Sequence, residues 1–203
     1  MDRKAKIPIV IVYNKKRKEL VEQTFKSLKN NTYYPYKLFR AEHKGNDLDY
    51  LVIKNYLVKN IPFDWDLVVI ADDDIYFNKG WLKHMVKVMN ENKDVWVITG
   101  THWYGKKYLE KRKDITLVDV AGGGVWIIRK NAWDKSGPYK IDKRKTYIIA
   151  EKILKSGGKI AFLNDQTKVV HCGITSLIDK KSRVERGIKY IKELAQAVGA
   201  KTY

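Results

Sequence analysis

The chain is poor in the residues on which several functional classes depend. Its single cysteine, Cys172, excludes an intramolecular disulfide and a cysteine-rich zinc site. The four histidines, His43, His84, His102 and His171, are scattered, so zinc catalysis has no cluster to use. No apolar run approaches the ~20 residues that a membrane span requires. The apolar stretch Ile7 to Tyr13 is too short, and too soon followed by Asn14-Lys15-Lys16-Arg17, for a secretory signal. The expected location is therefore the cytoplasm. Two nucleotide signatures are missing as well. There is no Gly-x-x-x-x-Gly-Lys-Ser/Thr, since Gly157-Gly158-Lys159-Ile160 lacks the hydroxyl and precedes a strand. No dinucleotide fingerprint follows the first strand, where Tyr13-Asn14-Lys15-Lys16 stands instead.

What is present describes a packed, basic protein. With 203 residues the chain suits one well-cored domain, and 44% hydrophobic residues with six Trp and thirteen Tyr supply the core. Lys and Arg number 41 against 23 Asp and Glu, a formal charge of +18. Such a surplus attracts phosphates, nucleic acid or anionic membranes without choosing among them. Its local clusters, Lys15 to Lys18, Lys106 to Lys113 and Lys180 to Arg186, read by default as solvated faces.

Periodicity places strands and helices in alternation. Strands are expected at Ile7 to Tyr13, Tyr36 to Ala41, Asp66 to Ala71, Val95 to Thr101 and Lys159 to Leu163. Helices are expected at Lys18 to Asn30, Asp49 to Asn60, Gly80 to Asn90 and Arg144 to Lys155. Strands separated by helices of this length imply a mostly parallel central sheet covered on both faces. Thr116 to Val120 and Gly124 to Arg129 read as a strand pair around Gly122-Gly123-Gly124, and Tyr104 to Asp114 as a polar, aromatic functional loop. Residues 1–178 form the expected domain. The remainder, 179–203, reads as a basic amphipathic helix packed on it or extending it, with Ile188, Ile191, Leu194 and Val198 on one side.

The run Asp66-Leu67-Val68-Val69-Ile70-Ala71-Asp72-Asp73-Asp74 carries the strongest functional signal. Open α/β sheets bind ligands at the carboxyl ends of their strands. Side chains alternate along a strand, so Asp72 and Asp74 share a side and Asp73 faces away. Two close carboxylates repel unless a cation lies between them. Mg²⁺ and Mn²⁺ suit such oxygen ligands and use few protein carboxylates together with substrate phosphates. The competing reading is a solvated turn with one Asp capping the next helix, which one carboxylate would satisfy.

On these residues the chain resembles GT-A-type glycosyltransferases, particularly family 2-like members, from Ile7 to about Ser176. Ile9-Val10-Ile11-Val12-Tyr13-Asn14 is similar to their first nucleotide-contacting strand, and Lys54-Asn55 to a basic-Asn pair ahead of the acidic strand. Asp72-Asp73-Asp74 resembles the DXD motif. Ala121-Gly122-Gly123-Gly124-Val125-Trp126 and Ser136-Gly137-Pro138-Tyr139 resemble the segment against the donor sugar. His171-Cys172-Gly173 resembles the late histidine that completes the metal shell; read from its residues alone, His171 is a half-buried structural histidine.

The resemblance implies a single-domain GT-A-like, Rossmann-like fold and sugar transfer from a UDP- or GDP-linked donor, with inversion and a divalent metal, Mn²⁺ or Mg²⁺. It implies metal ligands at Asp72, Asp74 and His171. Donor contacts fall at Tyr13, Asn14, Lys54, Asp72, Asp73, Gly122 and Gly123. Inversion needs a general base. Here the chain departs from the family, because Lys143-Arg144-Lys145-Thr146 stands where an acidic pair is expected. Asp142 is the nearest carboxylate and is nominated, with Glu151 and Asp119 as alternatives. The acceptor is a glycan, a protein or a lipid-linked group; His102-Trp103-Tyr104 with Lys106, Lys107 and Tyr108 offers aromatic and basic contacts for it. A peripheral contact with an anionic membrane is compatible with the terminal helix. The rival functions are a nucleotidyltransferase on a similar sheet, a nucleic-acid-binding protein and a metal-dependent nuclease.

Overall fold

The hydrophobic alternation of the central strands decides which helix lies on which side of the sheet. The computed structural model describes residues 6–43, 47–100, 107–120, 124–138, 145–165 and 167–172. Strand β1 (Ile7–Tyr13) pairs in parallel with β2 (Tyr36–Glu42) and β3 (Leu67–Ala71). Ile7, Ile9, Ile11, Leu67, Val69 and Ala71 share one cluster with Leu28 of α1 (Lys18–Asn31) and Leu82, Met85 and Met89 of α3 (Trp81–Glu91). The intervening Val10, Val68 and Ile70 point the other way. They pack with Leu51 and Val58 of α2 (Asp47–Lys59), Ala132 of α4 (Lys130–Ser136) and Ile149, Ala150 and Ile153 of α5 (Lys145–Lys155). Both faces are thus covered, as the strand and helix alternation predicts. Among the described residues no helix is long and apolar enough to cross a membrane.

The main sheet has eight strands in the order β2-β1-β3-β8-β5-β9-β7-β6. Its remaining members are β5 (Val95–Thr99), β6 (Tyr108–Lys111), β7 (Ile115–Val118), β8 (Val125–Arg129) and β9 (Lys159–Leu163). Most strands share one direction, and β8 and β7 oppose it. Two expectations are corrected here. The segments around the triple glycine are not partners: β8 lies between β3 and β5, antiparallel to both, whereas β7 pairs with β9 and β6. Burial fits this central position, because Val125 to Ile128 are apolar on both faces and suit a strand in the part of the sheet that helices cover on both sides. Tyr104 to Asp114 is not wholly a loop, since residues 108–111 form β6 at the sheet edge. All four are exposed, which suits a charged edge strand that discourages further pairing.

A second, two-stranded sheet has no counterpart in the sequence pattern. Strand β4 (Ile75–Phe77) pairs antiparallel with β10 (Val169–His171), placing His171 opposite Ile75. This register carries the late histidine to the end of the acidic run. The expected helix over 179–198 lies outside the described residues.

At the β6–β7 hairpin, Arg112 holds Asp94 through two hydrogen bonds of 2.9 and 2.8 Å, and Lys159 adds one of 2.9 Å. The Arg112 and Lys159 hydrogen bonds hold the Asp94 carboxyl well below the usual carboxylate range. A carboxylate with a depressed folded pKa stabilises the fold above its unfolded value of about 3.9 and loses that contribution as pH falls toward the folded value. Wild type should therefore lose more stability between pH 5 and pH 3 than Asp94→Asn does. Solvent screening keeps the difference within about 1 kcal/mol. Urea denaturation at both pH values checks it; equal acid losses in the two proteins would contradict it.

Candidate functional site

Three consecutive aspartates leave β3 in three different environments. Asp72 extends the ladder, its N–H donating to the Gly124 carbonyl at 2.8 Å. Its Oδ1 accepts a hydrogen bond of 2.8 Å from Lys54 Nζ and contacts the Tyr50 hydroxyl. Lys54 and Tyr50 stand one turn apart on α2, with the ammonium also 4.1 Å from the tyrosine ring centroid. The Lys54 side chain is only 3% exposed, so its charge is spent on this corner.

Asp73 turns away, toward β1. Its Oδ2 accepts the Asn14 backbone N–H at 2.8 Å, and its Oδ1 is paired with the Arg17 guanidinium. Thr24 of α1 fixes the turn: its hydroxyl donates to the Asp73 carbonyl at 2.9 Å and accepts the Ile75 N–H at 3.0 Å. Thr24→Val keeps the shape and strands both buried backbone groups, at about 1–3 kcal/mol each. A matching loss in urea denaturation is expected, and a loss under about 0.5 kcal/mol would contradict the assignment.

Asp74 returns to the Asp72 side, as the alternation predicts. Its Oδ2 accepts from Arg17 Nη1 at 2.9 Å. Its Oδ1 is buried, makes no hydrogen bond, and lies 3.0 Å from His171 Nε2. That nitrogen is 4.0 Å from Asp72 Oδ2. Asp72, Asp74 and His171 each offer one ligand atom, and these atoms lie within 4.8 Å of one another. The Cys172 N–H donates to the Asp74 carbonyl at 2.7 Å, which locks the histidine strand to the acidic turn.

The electrostatics of the cluster are mutual. Burial opposes charge on Asp74, but His171 and Arg17 overcome it and hold the carboxyl well below the usual range. Burial likewise pushes His171 down, and the Asp74 and Asp72 carboxylates outweigh it and raise the imidazole above its ordinary value. Burial pushes the neighbouring Cys172 thiol up, so no thiolate is on offer. A buried carboxylate oxygen without a hydrogen bond, a second carboxylate and an imidazole nitrogen fit a divalent cation.

Other nominated residues fall in several places. Tyr13 ends β1 with its ring edge-on to Phe25, 5.6 Å between centroids. Asn14 meets the site through its backbone; its side chain accepts the Lys16 N–H at 2.9 Å and caps the 3-10 turn Lys15–Arg17. Asp119 accepts the Lys107 N–H at 3.2 Å beside the β6–β7 hairpin, and Glu151 pairs with Lys155 on α5. Gly122, Gly123, Asp142 and His102 to Lys106 lie outside the described residues. Two residues escaped sequence reasoning. Tyr50 had a usable signal, its spacing of four from Lys54 on a helix. Arg17 had none, being one cation in a basic run whose contact depends on β1 lying beside β3.

No family model matches the chain, and no curated protein is similar to it in sequence. Solved structures are similar in fold. GalNAc-T7, crystallised with UDP, GalNAc and Mn²⁺, superposes with a TM-score of 0.58 at 12% identity, over 80% of this chain and 43% of its own. Residues 1–349 of S. aureus TarS give 0.54 at 13% identity, over 79% of this chain and 58% of that one. The chain thus spans about half the length of the structures it matches. The fold is GT-A-like, and the acidic run with His171 fits a DXD-like arrangement in it.

Proposed function

We propose that the chain is a glycosyltransferase that moves a sugar from a UDP- or GDP-linked donor to an acceptor hydroxyl, with inversion, using a divalent cation. The observation that carries this reading is the convergence of Asp72 Oδ2, Asp74 Oδ1 and His171 Nε2 where β3 ends. A GT-A-like neighbour crystallised with UDP, GalNAc and Mn²⁺ supports it.

The difficult event in such a reaction is departure of a diphosphate. Asp72, Asp74 and His171 would hold the cation, which supplies charge neutralisation for the leaving group. Lys54, fixed on Asp72 and the Tyr50 ring, keeps a further positive charge at this strand end. The backbone of Asn14 and the end of β1 form the wall beside Asp73, where the nucleoside is assigned. Asp142 is the nominated base for the acceptor hydroxyl. The neutral Cys172 takes no part in ligation.

Calorimetry with UDP, GDP and CMP, each with and without Mn²⁺, tests this reading. One nucleoside diphosphate should bind, and only with the cation. Equal binding without the cation, or binding of none of the three, would overturn it.

A further inference from the structure

The acidic turn carries three carboxylates but offers a cation only one side. Asp72 and Asp74 face His171, while Asp73 is 1% exposed and faces β1. The opposite side is filled by Arg17, whose Nη1 lies 2.9 Å from Asp74 Oδ2 and whose Nη2 pairs with Asp73 Oδ1. One guanidinium thus spans two adjacent carboxylates and sets a positive charge between them. The same short turn delivers both partners of Asp73, because Asn14 donates its backbone N–H and caps the turn that ends at Arg17. Asp74 is shared, with Oδ2 committed to Arg17 and Oδ1 left without a hydrogen bond on the His171 side.

We propose that Arg17 is a positioning residue that acts as the fixed counter-ion of the acidic turn and restricts it to a single divalent cation on the Asp72–Asp74–His171 side. This rests on the metal reading of the site given above. The charge balance supports it: with His171 neutral, as a metal-ligating imidazole must be, Asp72, Asp73 and Asp74 contribute three negative charges, and Lys54 and Arg17 return two positive ones. The remaining negative charge attracts a dication, and the filled site is then positive toward a diphosphate. With a neutral side chain at position 17, Asp73 and the far oxygen of Asp74 become an uncompensated carboxylate pair. Such a pair recruits a second cation.

The experiment counts Mn²⁺ bound per chain by electron paramagnetic resonance, without nucleotide, on the 203-residue chain and its Arg17→Gln and Arg17→Lys variants. Wild type and Arg17→Lys should each bind one ion, and Arg17→Gln should bind two. A single ion in Arg17→Gln, whether tighter or weaker, would overturn the proposal and leave the metal site standing, because that is what a merely structural arginine gives. No Mn²⁺ binding to folded wild type would overturn the metal reading and this proposal together. Asp73→Asn keeps the test decisive if Arg17→Gln does not fold. Asp73 offers the cation no ligand atom, yet losing its charge leaves Arg17 in excess and should weaken Mn²⁺ binding about tenfold. Unchanged affinity in that variant would overturn the proposal.

Discussion

Asp74→Asn is expected to abolish stabilisation of the fold by Mn²⁺. A ligand that binds only the native state at 100 times its Kd adds about 2.7 kcal/mol, which for a chain of this size raises Tm by about 5–11 °C. Asp74 supplies the buried oxygen without a hydrogen bond in the cluster. An asparagine preserves its shape and can still accept from Arg17, but it removes the charge that a hard cation requires. Outer-shell changes at metal sites typically cost 10–100-fold in affinity, so removal of a ligand charge should cost at least about 100-fold. The shift on adding Mn²⁺ should therefore fall to about 2 °C or less. Shifts, not absolute Tm values, are the quantity to compare, because Asp74 also balances Arg17 and His171 without metal. An unchanged shift in the variant would remove Asp74 from the metal shell.

Trp81→Ala should be the most destabilising single truncation in the core. Trp81 opens α3, is fully buried, and sits with its ring centroid 4.4 Å from that of Phe77. Its indole N–H donates to the Thr32 hydroxyl at 2.8 Å, tying α3 to the end of α1. Replacing such a residue by alanine costs about 3–5 kcal/mol, a large part of the roughly 5–15 kcal/mol that holds a domain together. The damage should also reach the site. Phe77 lies on β4, whose pairing with β10 carries His171 to Asp74. Urea denaturation should show the loss, with weaker Mn²⁺ binding at temperatures where the variant remains folded. A loss below about 2 kcal/mol would show that the core collapses around the gap.

The long periodic elements were legible because local pattern and tertiary role coincide in them. Strands β1 and β9 match their expected limits residue for residue, since an apolar run in a two-faced sheet has one way to be buried. The placement of Asp72 and Asp74 on one side, with Asp73 opposed, agrees with strand alternation, although β3 ends at Ala71 and the turn fixed by Thr24 is what holds Asp73 and Asp74 there. Strand pairing was not legible around the triple glycine. Sequence neighbours suggest a hairpin, whereas β8, buried on both faces, lies at the sheet centre between β3 and β5. The three-residue strands β4 and β10 are too short to carry a period, and only the fold brings them together. His171 was consequently reachable through resemblance but not through its own neighbours. Arg17 was hidden for the same reason, because its partners belong to a strand adjacent only in space.

As proposed here, this strand end activates the bond between a sugar and a nucleoside diphosphate. The most direct test is to incubate the protein with Mn²⁺ and each UDP- and GDP-linked sugar, and to identify the products of slow transfer to water. Free sugar and intact nucleoside diphosphate are expected from one donor class, with no release by Asp74→Asn. Pyrophosphate released from a nucleoside triphosphate and a sugar phosphate, with every sugar donor left intact, would contradict this reading and assign the site to nucleotidyl transfer.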